Sequence, residues 1–273
     1  MSAMEFRSLG KTGERLPVIG MGTWAMGSAT DDEGRMSELE ALRRGIELGM
    51  TFLDTAEMYG YGKSEEIVSE AIDGQAAEVF IATKVSPEHF HHDSILRSCE
   101  ASLQRLGVKC IDLYQLHWPN PRIEIRETMR AMEQLVFQGK IRYIGISNFS
   151  VEQTIEAQES LAKNEIASNQ VRYSLTSRSI EQNLLPYCEK EKITIIAYSP
   201  LDSGRIPQSK IPREILTKYN MSPAQIMLNW VTYRESVVAI PKASKVKHVE
   251  ENADSVVVRL LAEDHNILSK KFG

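Results

Sequence analysis

The stretch Thr51-Phe52-Leu53-Asp54-Thr55-Ala56-Glu57-Met58-Tyr59-Gly60-Tyr61-Gly62 decides how the rest of the chain reads. Thr51 to Leu53 is a short run with β-branched and aromatic character, the mark of a buried strand. An acid, Asp54, stands at its end, and Tyr59 follows in the next loop. Gly60 and Gly62 break the chain before a helical run from Ser64 to Ile72. Two later stretches repeat the pattern. Val79-Phe80-Ile81-Ala82-Thr83 runs into Lys84, and Ile111-Asp112-Leu113-Tyr114-Gln115-Leu116 runs into His117-Trp118-Pro119. An acid, an ammonium and an imidazole thus each sit where a strand gives way to a loop.

Working outward, strands alternate with helices along the whole sequence. Strands are predicted to begin near Val18, Thr51, Glu78, Ile111, Ile141, Ile166, Ile193 and Val237. Helices are predicted over Met36–Leu48, Ser94–Leu106, Ile123–Phe137, Val151–Ala162, Ser179–Glu189 and Ser222–Tyr233, with a polar loop from Ser28 to Gly34 before the first. Alternation of this kind implies a parallel sheet. The runs Ile193–Ala197 and Val237–Ile240 are continuously apolar, as strands covered on both faces should be. Eight strand-then-helix units with no linker composition between them imply closure into a (β/α)8 TIM barrel, one α/β domain over residues 1–273. Phe6 to Arg15, with Gly10 and Gly13, reads as a β-hairpin plugging one barrel end. Asp93 or Ser94 and Ser222-Pro223 are the expected helix starts, and Gly107 and Gly139 the expected stops.

Composition excludes several classes. The 273 residues are 42% hydrophobic and 25% charged, ordinary for a globular protein. Lys and Arg number 32 against 37 Asp and Glu, a formal charge of -5, which argues against nucleic-acid or anionic-membrane partners. No run of 18 apolar residues offers a transmembrane helix. The sequence from Met1 to Arg7 lacks the basic-then-apolar pattern of a signal peptide. Cys99, Cys110 and Cys188 are scattered and odd in number, which fits a reducing, cytoplasmic setting.

The chemistry follows from residue types. A phenol is a poor acid at neutral pH, and a nearby ammonium favours its phenolate. Lys84 is therefore expected to lower the pKa of Tyr59, Asp54 to hold Lys84, and His117 to hydrogen-bond a substrate oxygen. A structural reading stands beside this: a buried Asp54–Lys84 ion pair with Tyr59 and His117 packed near it. Gly20-Met21-Gly22-Thr23-Trp24-Ala25 fits the loose G-x-G-x-x-A dinucleotide pattern, but no helix opens at its glycines, so it reads as a decoy. Ser147-Asn148 reads as an N-cap for the next helix, and Tyr198 as core. Lys242 and Lys245, at the start of a helix running through Val256, suit a phosphate or a solvated helix end. His89, His91, His92 and Asp93 read as a loop and helix cap rather than a metal site.

Asp54, Tyr59, Lys84 and His117, together with Gly22-Thr23-Trp24 upstream and Gly145-Ile146-Ser147-Asn148-Phe149 downstream, make the chain similar to the aldo-keto reductase superfamily through nearly its whole length. The resemblance implies reversible hydride transfer between NADPH, or more weakly NADH, and a small aldehyde or ketone. Asp54, Tyr59, Lys84 and His117 would be catalytic, with Tyr59 as general acid. It implies cofactor contacts from Thr23 and Trp24, nicotinamide contacts from Ser147, Asn148, Gln170 and Tyr198, and pyrophosphate contacts from Ser199, Leu201, Ser203 and Gly204. Lys242, Ser244, Lys245 and His248 would meet the adenosine phosphate, and Glu251 and Asn252 the adenine. One branch of the family carries an arginine where this sequence has His248. Trp24 and Trp118 would wall the substrate pocket, while Tyr61 reads as rim packing. A helix over Leu260–Lys271 leaves little chain for a lid. A Schiff-base lyase using Lys84 and a non-catalytic nicotinamide-binding subunit are the alternatives, and a monomer is the default state.

Overall fold

The computed structural model describes residues 4–29, 31–205 and 208–272. It opens on a hairpin in which β1 (Phe6–Ser8) pairs antiparallel with β2 (Arg15–Pro17). Leu9 and Leu16 are fully buried and join one apolar cluster with Phe52, Phe80, Leu113 and Val238. The hairpin therefore closes one end of the molecule. Thr194 Oγ1 fixes it, accepting from the Gly10 amide at 2.8 Å and donating to the Ser8 carbonyl at 3.0 Å.

The strands that follow are β3 (Met21–Gly22), β4 (Phe52–Asp54), β5 (Phe80–Val85) and β6 (Ile111–Leu116). They continue as β7 (Ile141–Ser147), β8 (Ile166–Arg172), β9 (Thr194–Tyr198) and β10 (Val237–Ala239). All eight lie side by side in chain order, each parallel to the next. The sheet closes where Ile19 bridges Ala239: the Gly20 amide donates to the Ala239 carbonyl at 2.8 Å, and the Ala239 amide to the Val18 carbonyl at 2.9 Å. This is the (β/α)8 barrel expected. The first strand is shorter and later than Val18–Met21, because that segment spends its hydrogen bonds on closure. Gly20 serves packing: a Cβ there would stand 2.6 Å from Phe52 Cδ1 and 2.8 Å from the Phe52 carbonyl oxygen. Phe52 itself is fully buried in the barrel interior, where truncation to Ala costs about 3–5 kcal/mol.

The helices are α1 (Asp32–Glu47), α2 (Lys63–Ala71), α3 (His92–Leu106), α4 (Ile125–Phe137) and α5 (Val151–Glu159). After them come α6 (Leu184–Glu191), α7 (Arg213–Tyr219), α8 (Pro223–Val231), α9 (Val246–Asp254) and α10 (Ala262–Phe272). Several ends differ from the sequence expectation, each for a local reason. Helix α1 starts four residues early because the Asp31 side chain accepts from the Gly34 amide at 2.7 Å and caps it. Helix α3 starts at His92, and neither Asp93 nor Ser94 is its cap. The Glu127 carboxylate, on α4, accepts from the His92 amide at 3.0 Å instead. Ser150, not Ser147-Asn148, caps α5, in a reciprocal box with Gln153. Helix α5 stops before Ala162 because Glu133 Oε1 gathers the amides of Ala162, Lys163 and Asn164. The expected helix over Ser179–Glu189 divides into a 3-10 turn at Ser179–Glu181 and α6. Pro186 explains the break, since it is tolerated only in a first turn. Ser222 caps α8 as expected. Helix α7 has no counterpart in the sequence reading; it is a short helix between Pro212 and Asn220.

Candidate active site

The C-terminal ends of the strands carry the site. Asp54 ends β4, Lys84 is the last residue but one of β5, and His117 directly follows β6. Lys84 is fully buried and Asp54 is 2% exposed. Lys84 Nζ donates to Asp54 Oδ2 at 2.6 Å, to the Thr55 carbonyl at 2.8 Å and to Tyr59 Oη at 3.3 Å. These three bonds use every donor an ammonium has. The Tyr59 amide donates to the Ala56 carbonyl at 3.0 Å, which folds the loop after β4 back over the strand ends. His117 meets Tyr59 edge-on, with ring centroids 5.6 Å apart, and packs on Trp118 at 4.7 Å. The four residues singled out in the sequence therefore form one contiguous cluster.

Charge in the cluster follows from burial. Burial pushes the Lys84 ammonium down, but Asp54 and Tyr59 outweigh it, and the net pKa is raised. A lysine held protonated is no amine nucleophile, so the Schiff-base alternative has no support here. The Tyr59 expectation needs correction. Burial raises its pKa more than Lys84 lowers it, Asp54 raises it further, and the net direction is up. Burial, aided by Lys84, depresses His117 to about 3. His117 is accordingly neutral at working pH. Its Nδ1 is buried without a partner. A buried N–H with no acceptor is costlier than a bare lone pair, so the proton belongs on Nε2, where it can be donated to a substrate oxygen.

An open cavity of about 1250 Å³ lies over this cluster. Tyr59, His117, Trp24 and Trp118 border it, as do Asp54 and Met58. Trp24 is 65% exposed and Trp118 36% exposed, so both stand at a mouth rather than in a core. Tyr61 is fully exposed and packs nothing, contrary to the rim role expected of it. The cavity continues along Thr23, Ser147, Asn148, Gln170 and Tyr198, where the side chains of Ser147, Asn148 and Tyr198 are linked, Asn148 Nδ2 donating to Ser147 Oγ at 3.1 Å. Asn148 takes a left-handed backbone, φ 61°. From it, Nδ2 donates to the His117 carbonyl at 3.2 Å and Oδ1 accepts from Tyr198 Oη at 3.0 Å. Ser147 Oγ donates to the Gln170 carbonyl at 2.8 Å. Ser199, Leu201, Ser203 and Gly204 form the next wall.

That wall holds strained backbone, with positive φ at Ser199, Asp202 and Ser203. Such strain persists only where its surroundings impose it. Asp202, which the sequence reading passed over, does so: it is 6% exposed and accepts from Ser174 Oγ at 2.8 Å and from Thr176 Oγ1. The final part of the cavity reaches the N-terminus of α9, bordered by Lys242, Ser244, His248, Glu251 and Asn252. Lys245 is the N-cap residue of α9 and does not border it. His248 pairs with Glu251 at 3.5 Å, and Ser222 also donates to Glu251. Ser222, Pro223 and Ala224 at the start of α8 border the same space and carry no sequence signal beyond their capping role. The histidines after β5 diverge: His89 meets Glu57 at 2.8 Å, His91 meets Glu127 at 3.2 Å, and His92 meets Asp93 at 2.8 Å.

This geometry can be set against known proteins. Residues 18–272 match the model of the Aldo/keto reductase family. The chain belongs to that family. It is 42% identical over 262 residues to the methylglyoxal reductase YeaE of Escherichia coli, covering 94% of this chain and 91% of that relative. It is 34% identical to the glyoxal reductase of Bacillus subtilis, covering 92% of this chain and 87% of that one. Among solved structures, the thermostable aldo-keto reductase Tm1743, in complex with the inhibitor epalrestat, superposes with TM-score 0.93 at 39% identity, covering 98% of this chain and 100% of that one. An aldo-keto reductase from Klebsiella pneumoniae in complex with NADPH gives TM-score 0.90 at 38% identity, covering 97% and 94%. The named relatives are reductases, which gives the regulatory-subunit alternative no support.

Proposed function

We propose that this aldo-keto reductase reduces small aldehydes and ketones with NADPH, and that Tyr59 supplies the proton. The carrying observation is Lys84 Nζ, which bonds Asp54 at 2.6 Å and Tyr59 at 3.3 Å beneath the cavity. The residues present fit the dinucleotide. The cavity, about 1250 Å³, exceeds what a drug-sized ligand needs, about 300–1000 Å³. Ser147, Asn148 and Gln170 offer polar atoms for a carboxamide, and Tyr198 a ring for stacking. The start of α9 with Lys242, Ser244 and His248 offers positive potential and donors for a phosphate. The reduced nicotinamide, when bound, supplies the hydride.

The chain's own residues do the rest. His117 donates from Nε2 to the carbonyl oxygen and polarises it. Tyr59 Oη gives its proton as negative charge grows on that oxygen. Lys84 holds the resulting phenolate, and Asp54 keeps Lys84 charged and aimed. Trp24, Met58 and Trp118 give the carbonyl's substituent a partial apolar wall. The relatives named for methylglyoxal and glyoxal reduction make small oxoaldehydes the first substrates to try. Because His248 already leans on Glu251, NADPH is preferred over NADH by a modest margin. Every residue in this reading comes from one chain, so it needs no second copy. The free cysteines suit the cytoplasm.

The test is a screen of NADPH and NADH oxidation, followed by absorbance, against aldehydes, ketones and sugars. Oxidation dependent on a carbonyl compound and faster with NADPH is expected. No turnover with any member of the panel would overturn the reading.

A further inference from the structure

Below the four catalytic residues lies a buried amide that the mechanism above does not use. Gln115 is fully buried, one residue before the end of β6, and does not border the cavity. In register it lies between Lys84 on β5 and Gly145 on β7. A burial this complete is unusual for a glutamine. Gly145 makes the room: a Cβ there would stand 2.7 Å from Gln115 Cγ. The Gly145-Ile146-Ser147-Asn148 segment thus accommodates the glutamine at Gly145 and borders the cavity at Ser147 and Asn148.

Gln115 is bonded in a definite order. Its Nε2 donates to Asp54 Oδ1 at 3.1 Å. Gln170 Nε2 donates to the same Asp54 Oδ1 at 2.7 Å and to Gln115 Oε1 at 3.3 Å. Both donors fall on Oδ1, which leaves Oδ2 for Lys84 at 2.6 Å. Asp54 is an anion, so it dictates the orientation of both amides, and Gln115 closes the ring between them. A carboxylate held by two amides and an ammonium has its charge divided among three partners.

We propose that Gln115 is a positioning residue for proton transfer, acting through Asp54 on Lys84 and Tyr59. By taking part of the Asp54 charge on Oδ1, it keeps the aspartate from neutralising Lys84 completely. Lys84 then retains the positive potential that stabilises the Tyr59 phenolate. Without the Gln115 amide, Asp54 would draw harder on Lys84, and Tyr59 would become a weaker acid. The groups facing Tyr59 are Lys84 on β5, Asp54 on β4, His117 after β6 and Tyr198 on β9. Of these, the Gln115 side chain hydrogen-bonds only Asp54, so its influence on Tyr59 runs through that bond. The inference rests on the reductase reading, since it concerns the acid of that reaction.

Gln115→Met tests it, because methionine keeps the length and bulk while removing both hydrogen bonds. Two quantities are read in the full chain. The first is turnover with NADPH and an aldehyde as a function of pH. The second, independent of activity, is tyrosinate absorbance on alkaline titration of the protein without cofactor, taken as the difference from the matching Tyr59→Phe protein. Turnover is expected to fall about tenfold, the scale of one hydrogen bond to a charged group. The Michaelis constant for the aldehyde should change little, the alkaline limb should move to higher pH, and the Tyr59 titration should move the same way. Gln115→Glu gives a second view: a carboxylate beside Asp54 raises the Tyr59 pKa further and depresses turnover more. If either variant is folded and shows an unmoved pH profile and an unmoved Tyr59 titration, Gln115 merely fills space and the proposal is overturned. If the unmutated protein itself reduces nothing, the reductase reading fails instead, and the Tyr59 titration still judges Gln115.

Discussion

At the scale of single residues, Tyr59 shows where a sequence informs and where it stops. Its candidacy is legible because Asp54, Lys84 and His117 each end an apolar run, and strand ends converge in a barrel. The direction of its pKa is not legible. It depends on how deeply a loop residue is covered by others distant in the chain, and burial here outweighs Lys84. The correction suits the chemistry: a phenol that stays protonated at neutral pH is available to donate, and Lys84 at 3.3 Å stabilises the anion only as it forms. Tyr59→Phe removes the proton and keeps the ring. Turnover should fall by at least about 10², the usual contribution of a positioned acid. Dinucleotide affinity, measured by fluorescence titration, should be unchanged. A Phe variant with near-normal turnover would remove Tyr59 from the mechanism. Gln115 and Asp202 were missed for a related reason: each is one polar residue in a run with no local signal, and their partners lie far off in sequence.

At the scale of elements, the strands after the first were legible to within two residues at their starts, because a strand covered on both faces has an apolar run. Helix ends were less so. The caps on α3 and after α5 come from Glu127 and Glu133, on a neighbouring helix, and no local pattern announces them. The docking of α10 was also hidden. Its amphipathic pattern is plain, yet its anchor is a polar residue: His265 lies between Trp230, with centroids 5.3 Å away, and Tyr233, 4.0 Å away. Burial, with Arg234 and Arg178 nearby and only partly offset by Glu181, depresses His265 to about 4. The unfolded chain takes up this proton near pH 6.5. His265 therefore contributes stability that is fully present above about pH 6.5 and is lost as pH falls toward its folded pKa. His265→Phe keeps a stacked ring and abolishes that titration. Urea midpoints taken at pH 7.5 and 4.5 should drop less in the variant than in the unmutated protein. His117 titrates in both proteins and cancels in the comparison. Equal drops would show that His265 is not protonated on unfolding.

At the scale of the whole molecule, the arrangement of α10 decides how freely substrates enter. The helix lies along α7 and α8: Lys218 and Tyr219 hold Asp264, at 2.6 and 2.5 Å, and Trp230 Nε1 donates to Ser269 at 2.9 Å. None of its residues borders the cavity. Among the described residues, then, the mouth over Tyr59 and His117 is framed by Trp24, Met58 and Trp118, and Trp24 stands 65% exposed. A pocket with apolar walls and one open side recognises the carbonyl well and its substituent poorly. Each methylene held against such a wall is worth only about 1–3 kcal/mol, a factor of roughly 10–200. An open side forfeits much of that, because a substituent pointing into water gains no contact in the transition state that it lacked before. The protein should therefore reduce small aliphatic and aromatic aldehydes alike, with high Michaelis constants. Across the straight-chain aldehydes from three carbons upward, kcat/KM should vary by less than the single-methylene factor at each step, and benzaldehyde should fall within the same range. One member reduced a thousandfold more efficiently than its neighbours would mean that a further element closes over Trp24 when substrate binds.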